Sequence, residues 1–238
     1  MFPYDAELAA AVKTPPESIS GALGLMRLID GRCAENDGLK WFNWLYLQVT
    51  QAVEEKVNAG GYNDPAWLAE LDVKFAALYF SSLYASLSGA ACPGCWSAML
   101  SARDQTRIAR IQFALAGMNA HINRDLPIAI VSTCQAAGAA PQHGTPHYSD
   151  YTAINSTLNG LLDLAKKTLN VRLLGDPLPP VSHLEDTIAA LDLAAFREKA
   201  WDTAENLWQA SPLESAGLLG VIDTLTAGIG KALLVPVP

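Results

Sequence analysis

The sequence predicts an all-α protein, a single-domain bundle of roughly seven or eight helices over residues 1–238. Three observations predict it. Apolar residues recur with a period near 3.6, helix caps punctuate the chain at regular intervals, and alternating β-branched segments of strand length are missing apart from the short VRLLG and the closing LLVPVP. A central helix must kink or restart near Pro127. Residues 1–15 are expected to be loosely ordered.

In chain order, Thr14-Pro-Pro-Glu17 matches a capping box, in which the hydroxyl accepts from the N3 amide and the Glu returns to the cap amide. Phe42, Leu45, Val49, Val53 and Val57 form one apolar stripe, and Gly60-Gly61 closes that helix. Asp64-Pro65 opens the next, where proline at the first helical position costs no hydrogen bond. Leu68, Leu71, Phe75, Leu78 and Ser82 form its stripe. AAGAAPQHGTPH and LLGDPLPPVSH read as loops, and Ser149 or Asp150 is expected to cap a helix starting at Tyr151. Ser182-His-Leu-Glu185 and Ser211-Pro-Leu-Glu214 repeat the capping box, with Ile188, Leu191, Ala195, Ala204 and Leu207 carrying the period between them.

Half of the 238 residues are hydrophobic and 17% are charged, which excludes disorder and implies a sizeable core. A net charge of −8 argues against nucleic acid and anionic membranes as partners, since no basic patch is present to release counterions. The N-terminus has no basic region leading into an apolar core, and no run of about twenty uncharged apolar residues occurs. The least polar stretch, SAGLLGVIDTLTAGIGKALLV, is broken by Asp223 and Lys231 and reads as a docking helix and not a membrane span. A cytoplasmic, reducing setting is therefore expected, with the four cysteines as thiols. The sequence leaves the oligomeric state open.

GxSxG, HExxH, the Walker loop, GxGxxG and the paired Glu-x-x-His of di-iron bundles are all missing from the sequence. Cys92-Pro-Gly-Cys95 has the spacing of a redox pair or half a zinc site, but Cys33 and Cys134 are isolated and no βαβ pattern flanks it. A tight turn between helices is the expected role.

The stretch GMNAHINRDLPIAI, Gly117 to Ile130, sets polar residues inside an apolar run. At about 100° per residue, Asn119 and Asn123 stack on one side of a helix, and His121 and Asp125 on nearly the opposite side, with Arg107, Arg110 and Arg124 near them. Ile111, Leu115, Met118, Ile122 and Leu126 make a third, apolar sector. Such a helix suits a central element bordering a polar cavity. Pro127 cannot bond the Asn123 carbonyl, and a kink there frees carbonyls beside His121 and Asp125. A structural account stands beside this one: Asp125 caps a restarted helix, and the asparagines and His121 satisfy the broken turn.

Asp72 lies between Leu68, Phe75 and Tyr79 on an apolar face, so burial is expected, with a solvent-edge position as the alternative. His143, His147 and Asp150 have metal-like composition, but Pro146 marks them as loop residues. Asp202 and Glu205 form an acidic pair between Trp201 and Trp208, which a solvated face would also explain.

RIARIQFALAGMNAHINRDLPIAIVSTC resembles the signature of a bacterial family of unknown function, domain-of-unknown-function family 5995, whose core reads close to GMNAHINxDLPLAL. FNWLYLQVT, the Asp64-Pro65 start, LDVKFAALYF, Trp96, DYTAIN, AWDTAENLW and the closing LLVP agree in order, so the resemblance runs from about Asp37 onward. It implies no activity. It shifts weight onto Asn119, His121, Asn123 and Asp125, with Asp72, Asp150 and Asp202 behind them, and the CPGC segment departs from the pattern.

Three functional readings fit these observations. In the first, the protein is an all-α hydrolase- or lyase-like enzyme, in one version assisted by a divalent metal on His121 and Asp125. His121 is then general base or ligand, Asp125 orients it, Asn119 or Asn123 clamps the substrate, and Asp72, Asp150, Arg124 and Asp202 are candidate binding residues. In the second, the bundle is not an enzyme and binds a small apolar molecule among its aromatic side chains, Trp41, Trp44, Tyr79, Trp201 and Trp208. The third is an interaction module whose polar helix is a structural network.

Overall fold

Proline, glycine and short polar caps set the helix boundaries. In the computed structural model, which describes residues 2–158, 160 and 193–236, the described residues form an all-α bundle. Its elements are α1 (Asp5–Val12), α2 (Ile19–Arg32), α3 (Gly38–Ala59), α4 (Pro65–Ser88), α5 (Gly94–Leu100), α6 (Arg110–Ala120), a π-helical turn (His121–Asp125), α7 (Leu126–Ala137), α8 (Pro146–Ala153), α9 (Leu193–Gln209) and α10 (Pro212–Leu233). The Ser182 capping box, Ile188, Leu191 and the VRLLG segment lie outside the described residues.

Several expected caps are present. Asp64 Oδ1 accepts from the Trp67 amide at 2.9 Å, with Pro65 at the first position of α4. Ser211 and Glu214 close a reciprocal box at the start of α10, at 3.4 and 2.8 Å. Gly60, at φ 78°, ends α3. Two starts differ from expectation. Thr14 does not open α2; Ser18 does, accepting from Gly21 N at 3.0 Å, because Pro16 drives Pro15 out of the helical region. α8 begins at Pro146 under a Thr145 cap and not at Tyr151. Pro146 takes the first helical position, where a proline starts a helix as readily as it breaks one, so His147 and Asp150 are helical and not loop residues.

The break at Pro127 takes the form of the π-helical turn. Leu126 N–H donates to the His121 carbonyl, five residues back. The widened turn relieves the clash an α-helix would impose between the proline ring and the Asn123 carbonyl. Asp125 keeps helical dihedrals and makes no cap hydrogen bond, so the helix passes through the turn without restarting.

Two apolar clusters make up the core. One gathers Leu23, Met26, Phe42, Tyr79, Trp96 and Leu115 from α2 to α6. The other gathers Leu68, Leu126, Ile130, Tyr151 and Trp201 from α4, α7, α8 and α9. Val49, Phe75 and Met118 pack against both and mark the seam. The stripes expected on α3 and α4 thus supply much of the seam.

α6 reaches α3 closely enough that Gly117 has no room for a side chain: an added Cβ would lie 2.3 Å from Phe42 Cγ. Phe42 cannot retreat, being 1% exposed and set edge-on to Tyr79, Trp96 and His121. Gly117→Ala is expected to cost about 1–3 kcal/mol by overpacking, read as a lower urea midpoint at constant m-value. A midpoint matching the wild type would contradict this packing.

α10 docks on α5 and α6 with one face, burying Thr226, Ala227 and Gly230, while Leu213, Val221, Leu225 and Ile229 are exposed. By length and composition it is apolar enough to cross a membrane. Its end is held by Gln112 Nε2, which donates to the Leu233 and Val235 carbonyls at 2.8 and 2.9 Å.

Candidate functional site

The π-helical turn places the polar residues of GMNAHINRDLPIAI in the two pairs that the helical spacing predicts. Asn123 Nδ2 donates to Asn119 Oδ1 at 3.0 Å, and Asn119 Nδ2 donates to the Thr226 carbonyl of α10 at 2.9 Å. That pair ties α10 to the turn. On the other side, His121 Nδ1 lies 3.1 Å from Asp125 Oδ2. Asp125 is fully buried; its Oδ2 also accepts from Trp96 Nε1 at 2.8 Å and its Oδ1 from Arg124 at 2.8 Å. Arg124 continues to Asp223 of α10 at 3.6 Å. Of the three arginines expected near this pair, Arg124 is there; Arg110 sits over Trp41 and near Glu35.

An acceptor-only carboxylate at Nδ1 fixes the His121 tautomer, with the proton on Nδ1 and the lone pair on Nε2. Burial lowers the His121 pKa and outweighs the opposing pull of Asp125, so the ring is neutral at pH 7. Phe75 stacks on it at 3.5 Å and Tyr46 meets it edge-on at 4.5 Å. Nε2 is buried and has no hydrogen-bond partner among the described residues.

His121 borders a cavity of about 70 Å³ at the seam of the two clusters, walled by Phe42, Tyr46, Val49, Phe75, Met118 and Ile122 and reached by Leu158, Leu193 and Arg197. An adjoining chamber of about 40 Å³ shares Tyr46, Val49, Phe75, Leu158 and Arg197 with it and adds Asp72, Leu68, Leu71 and Leu126. Asp72 is 8% exposed and its Oδ2 has no partner. Burial, assisted by Glu54, pushes its carboxyl up to about 7. The Tyr46 and Thr50 hydroxyls are likewise buried and without partners; they neighbour each other outside hydrogen-bond geometry. His121 borders the first cavity, Asp72 the second and Tyr46 both, and polar groups left unpaired in an apolar interior are costly.

The other sequence candidates lie elsewhere. Asp150 is buried beneath the turn before α4, accepting from Asn63 N, Asn63 Nδ2 and Asp64 N at 2.9, 2.9 and 2.7 Å. Asp202 is on the surface, where α9 presents Glu198, Asp202 and Glu205 to His143. His143 Nδ1 lies 2.8 Å from Glu205 Oε1 and Nε2 lies 2.9 Å from Glu198 Oε1. Slight burial lowers the His143 pKa, and the two hydrogen bonds more than offset it, so the pKa is raised. Ligand atoms of His143, Glu198 and Asp202 fall within 4.8 Å of one another and could hold a cation. At the π-helical turn, by contrast, the His121–Asp125 pair keeps only Nε2 free for a metal.

CPGC is the turn into α5. Both thiols are free, and burial pushes Cys92 up to about 11 and Cys95 further. Asp223 takes the N-terminal end of that helix, accepting from Gly94 N and Cys95 N at 2.8 and 3.0 Å. Although burial works against its charge, those amides and Arg124 hold its carboxyl below the usual range.

Tyr46, Thr50 and Arg197 escaped the sequence reading. Tyr46 and Thr50 sit four residues apart along the edge of the α3 stripe, a helical spacing that could have flagged them. Arg197 lies one turn before Trp201 on the buried face of α9. It donates to Asn155 Oδ1 and the Tyr151 carbonyl, both at 2.7 Å, and covers the Tyr151 ring at 4.0 Å.

Fold and site together define an all-α bundle whose central π-helical turn carries a buried His–Asp pair beside an apolar cavity. The chain belongs to domain-of-unknown-function family 5995, a family of unknown function whose model matches residues 19–236. No curated protein and no solved structure matches it.

Proposed function

We propose that the protein binds a small, largely apolar molecule in the seam cavity and holds it through a hydrogen bond from the ligand to His121 Nε2. The observation that carries this reading is the unpartnered, buried Nε2 at the edge of a cavity walled by aliphatic and aromatic side chains. The cavity is smaller than the roughly 150 Å³ pocket known to take up benzene. It therefore suits a molecule of a few heavy atoms, or one that also enters the Asp72 chamber. A second reading, that His121 removes a proton from the bound molecule, draws on the carboxylate at Nδ1, which raises the basicity of Nε2.

Titration of the full chain with 1-propanol, followed by amide NMR, tests the binding reading. Shifts are expected at Val49, Phe75, Met118 and Ile122. His121→Phe, which keeps a ring of similar shape and removes Nε2, is expected to weaken binding by about tenfold, the usual effect of deleting one buried hydrogen bond. Shifts confined to the surface, or binding unchanged in a folded His121→Phe protein, would overturn it.

A further inference from the structure

The chamber beside His121 has an acidic character that the binding reading does not use, and the ligand class assigned from it rests on that reading. We propose that the ligand is a small aliphatic amine carrying a second hydrogen-bond donor, with its ammonium group against Asp72 and its other donor on His121 Nε2. Asp72 stands in the middle of α4, one helical turn before the Phe75 ring that stacks on His121. Its Oδ2 is buried and has no hydrogen-bond partner among the described residues. A buried carboxyl of this kind is completed either by a proton or by a cation that enters beside it.

The surroundings favour a cation. Tyr46, which lines the same chamber, offers its hydroxyl oxygen to a remaining ammonium proton. Tyr46 and Phe75 present ring surfaces, which attract ammonium groups. Glu54 lies close enough to act on Asp72 and adds to the negative field. Arg197, a positive group that reaches the chamber, is held by Asn155, the Tyr151 carbonyl and the Tyr151 ring. Folding has already removed most of Asp72 from water, so much of the cost of dehydrating its carboxylate precedes the entry of an ammonium. His121 Nε2 at the other end accepts only, because Nδ1 carries the proton. The two chambers therefore ask for donors at both ends and hydrocarbon between them.

Three probes of matched length test this by amide NMR titration of the full chain: 3-amino-1-propanol, 1,3-propanediol and 3-hydroxypropanoate. The amine is expected to bind at least about tenfold more tightly than the diol, as one charge-assisted hydrogen bond provides, and the hydroxy acid is expected not to bind. Asp72→Asn should bring amine and diol to equal affinity. Equal affinities in the wild-type protein, with both weakened by His121→Phe, would overturn the amine while leaving the cavity reading in place. Tighter binding of the hydroxy acid would overturn it in favour of Arg197 as the charged partner. A preference for the amine that survives Asp72→Asn removes Asp72 from the assignment, and failure of all three probes overturns both readings. The wild-type comparison stands whether or not the variant folds.

Discussion

Arg103→Ala destabilises the protein by about 3–5 kcal/mol, the usual result of leaving one member of a buried ion pair without the other. Asp37 is wholly buried at the start of α3 and Arg103 is 6% exposed. Arg103 Nε donates to Asp37 Oδ1 at 2.8 Å and a second guanidinium nitrogen pairs with Oδ2. Its Nη1 reaches Asp5 of α1 at 3.0 Å. Asp37 also accepts from the Leu39 amide and from Tyr4 Oη, both at 2.9 Å. Removing the guanidinium thus leaves a buried carboxylate without its counter-ion and cuts the Arg103 link between Asp5 of α1 and Asp37. Urea unfolding checks the magnitude, and a loss below about 1 kcal/mol would place the pair in the class of solvated surface bridges. Because the network stands apart from the seam cavity, the variant under native conditions should keep its affinity for 1-propanol.

The second large effect is a dependence of stability on pH that belongs to Asp72. Its carboxyl titrates at about 7 in the folded protein and near 3.9 in an unfolded chain. Between those values the folded state holds a proton that the unfolded state has released, so stability from this group is complete below about pH 4 and lost as pH rises through about 7. Three pKa units correspond to about 4 kcal/mol. His121, with its lowered pKa, acts oppositely by gaining stability as pH rises toward 6.5, and His143, with its raised pKa, loses stability as pH rises. Subtracting the curve of Asp72→Asn from that of the wild type isolates Asp72. The variant is expected to gain several kcal/mol relative to the wild type between pH 4 and pH 8. Parallel curves would mean that Asp72 is solvated or paired.

The helices were legible where local chemistry decides them. The Asp64-Pro65 and Ser211–Glu214 caps and the α3 and α4 stripes are statements about neighbours three or four residues apart, which the chain displays directly. The Asn119–Asn123 and His121–Asp125 pairs were legible for the same reason. Thr14 and Pro146 misled because a proline is compatible with both a helix start and a loop, and the flanking residue settles which. The Asp37–Arg103 pair, the binding of His143 by α9 and the meeting of Tyr46 with Asp72 join residues far apart in the chain. No local pattern announces them. The chamber itself arises from how α3, α4, the π-helical turn and α9 pack, which composition and periodicity do not encode.

The π-helical turn has a consequence in rotational phase. An α-helix advances about 100° per residue, so a single extra residue rotates everything after it by that amount about the common axis. α6 turns Ile111, Phe113 and Leu115 into the first cluster, and α7 turns Leu126, Ala129, Ile130 and Cys134 into the second. The phase step lets α6 and α7 face two cores in succession. His121, at the step, lies at the seam between the two cores, and the cavity opens beside it.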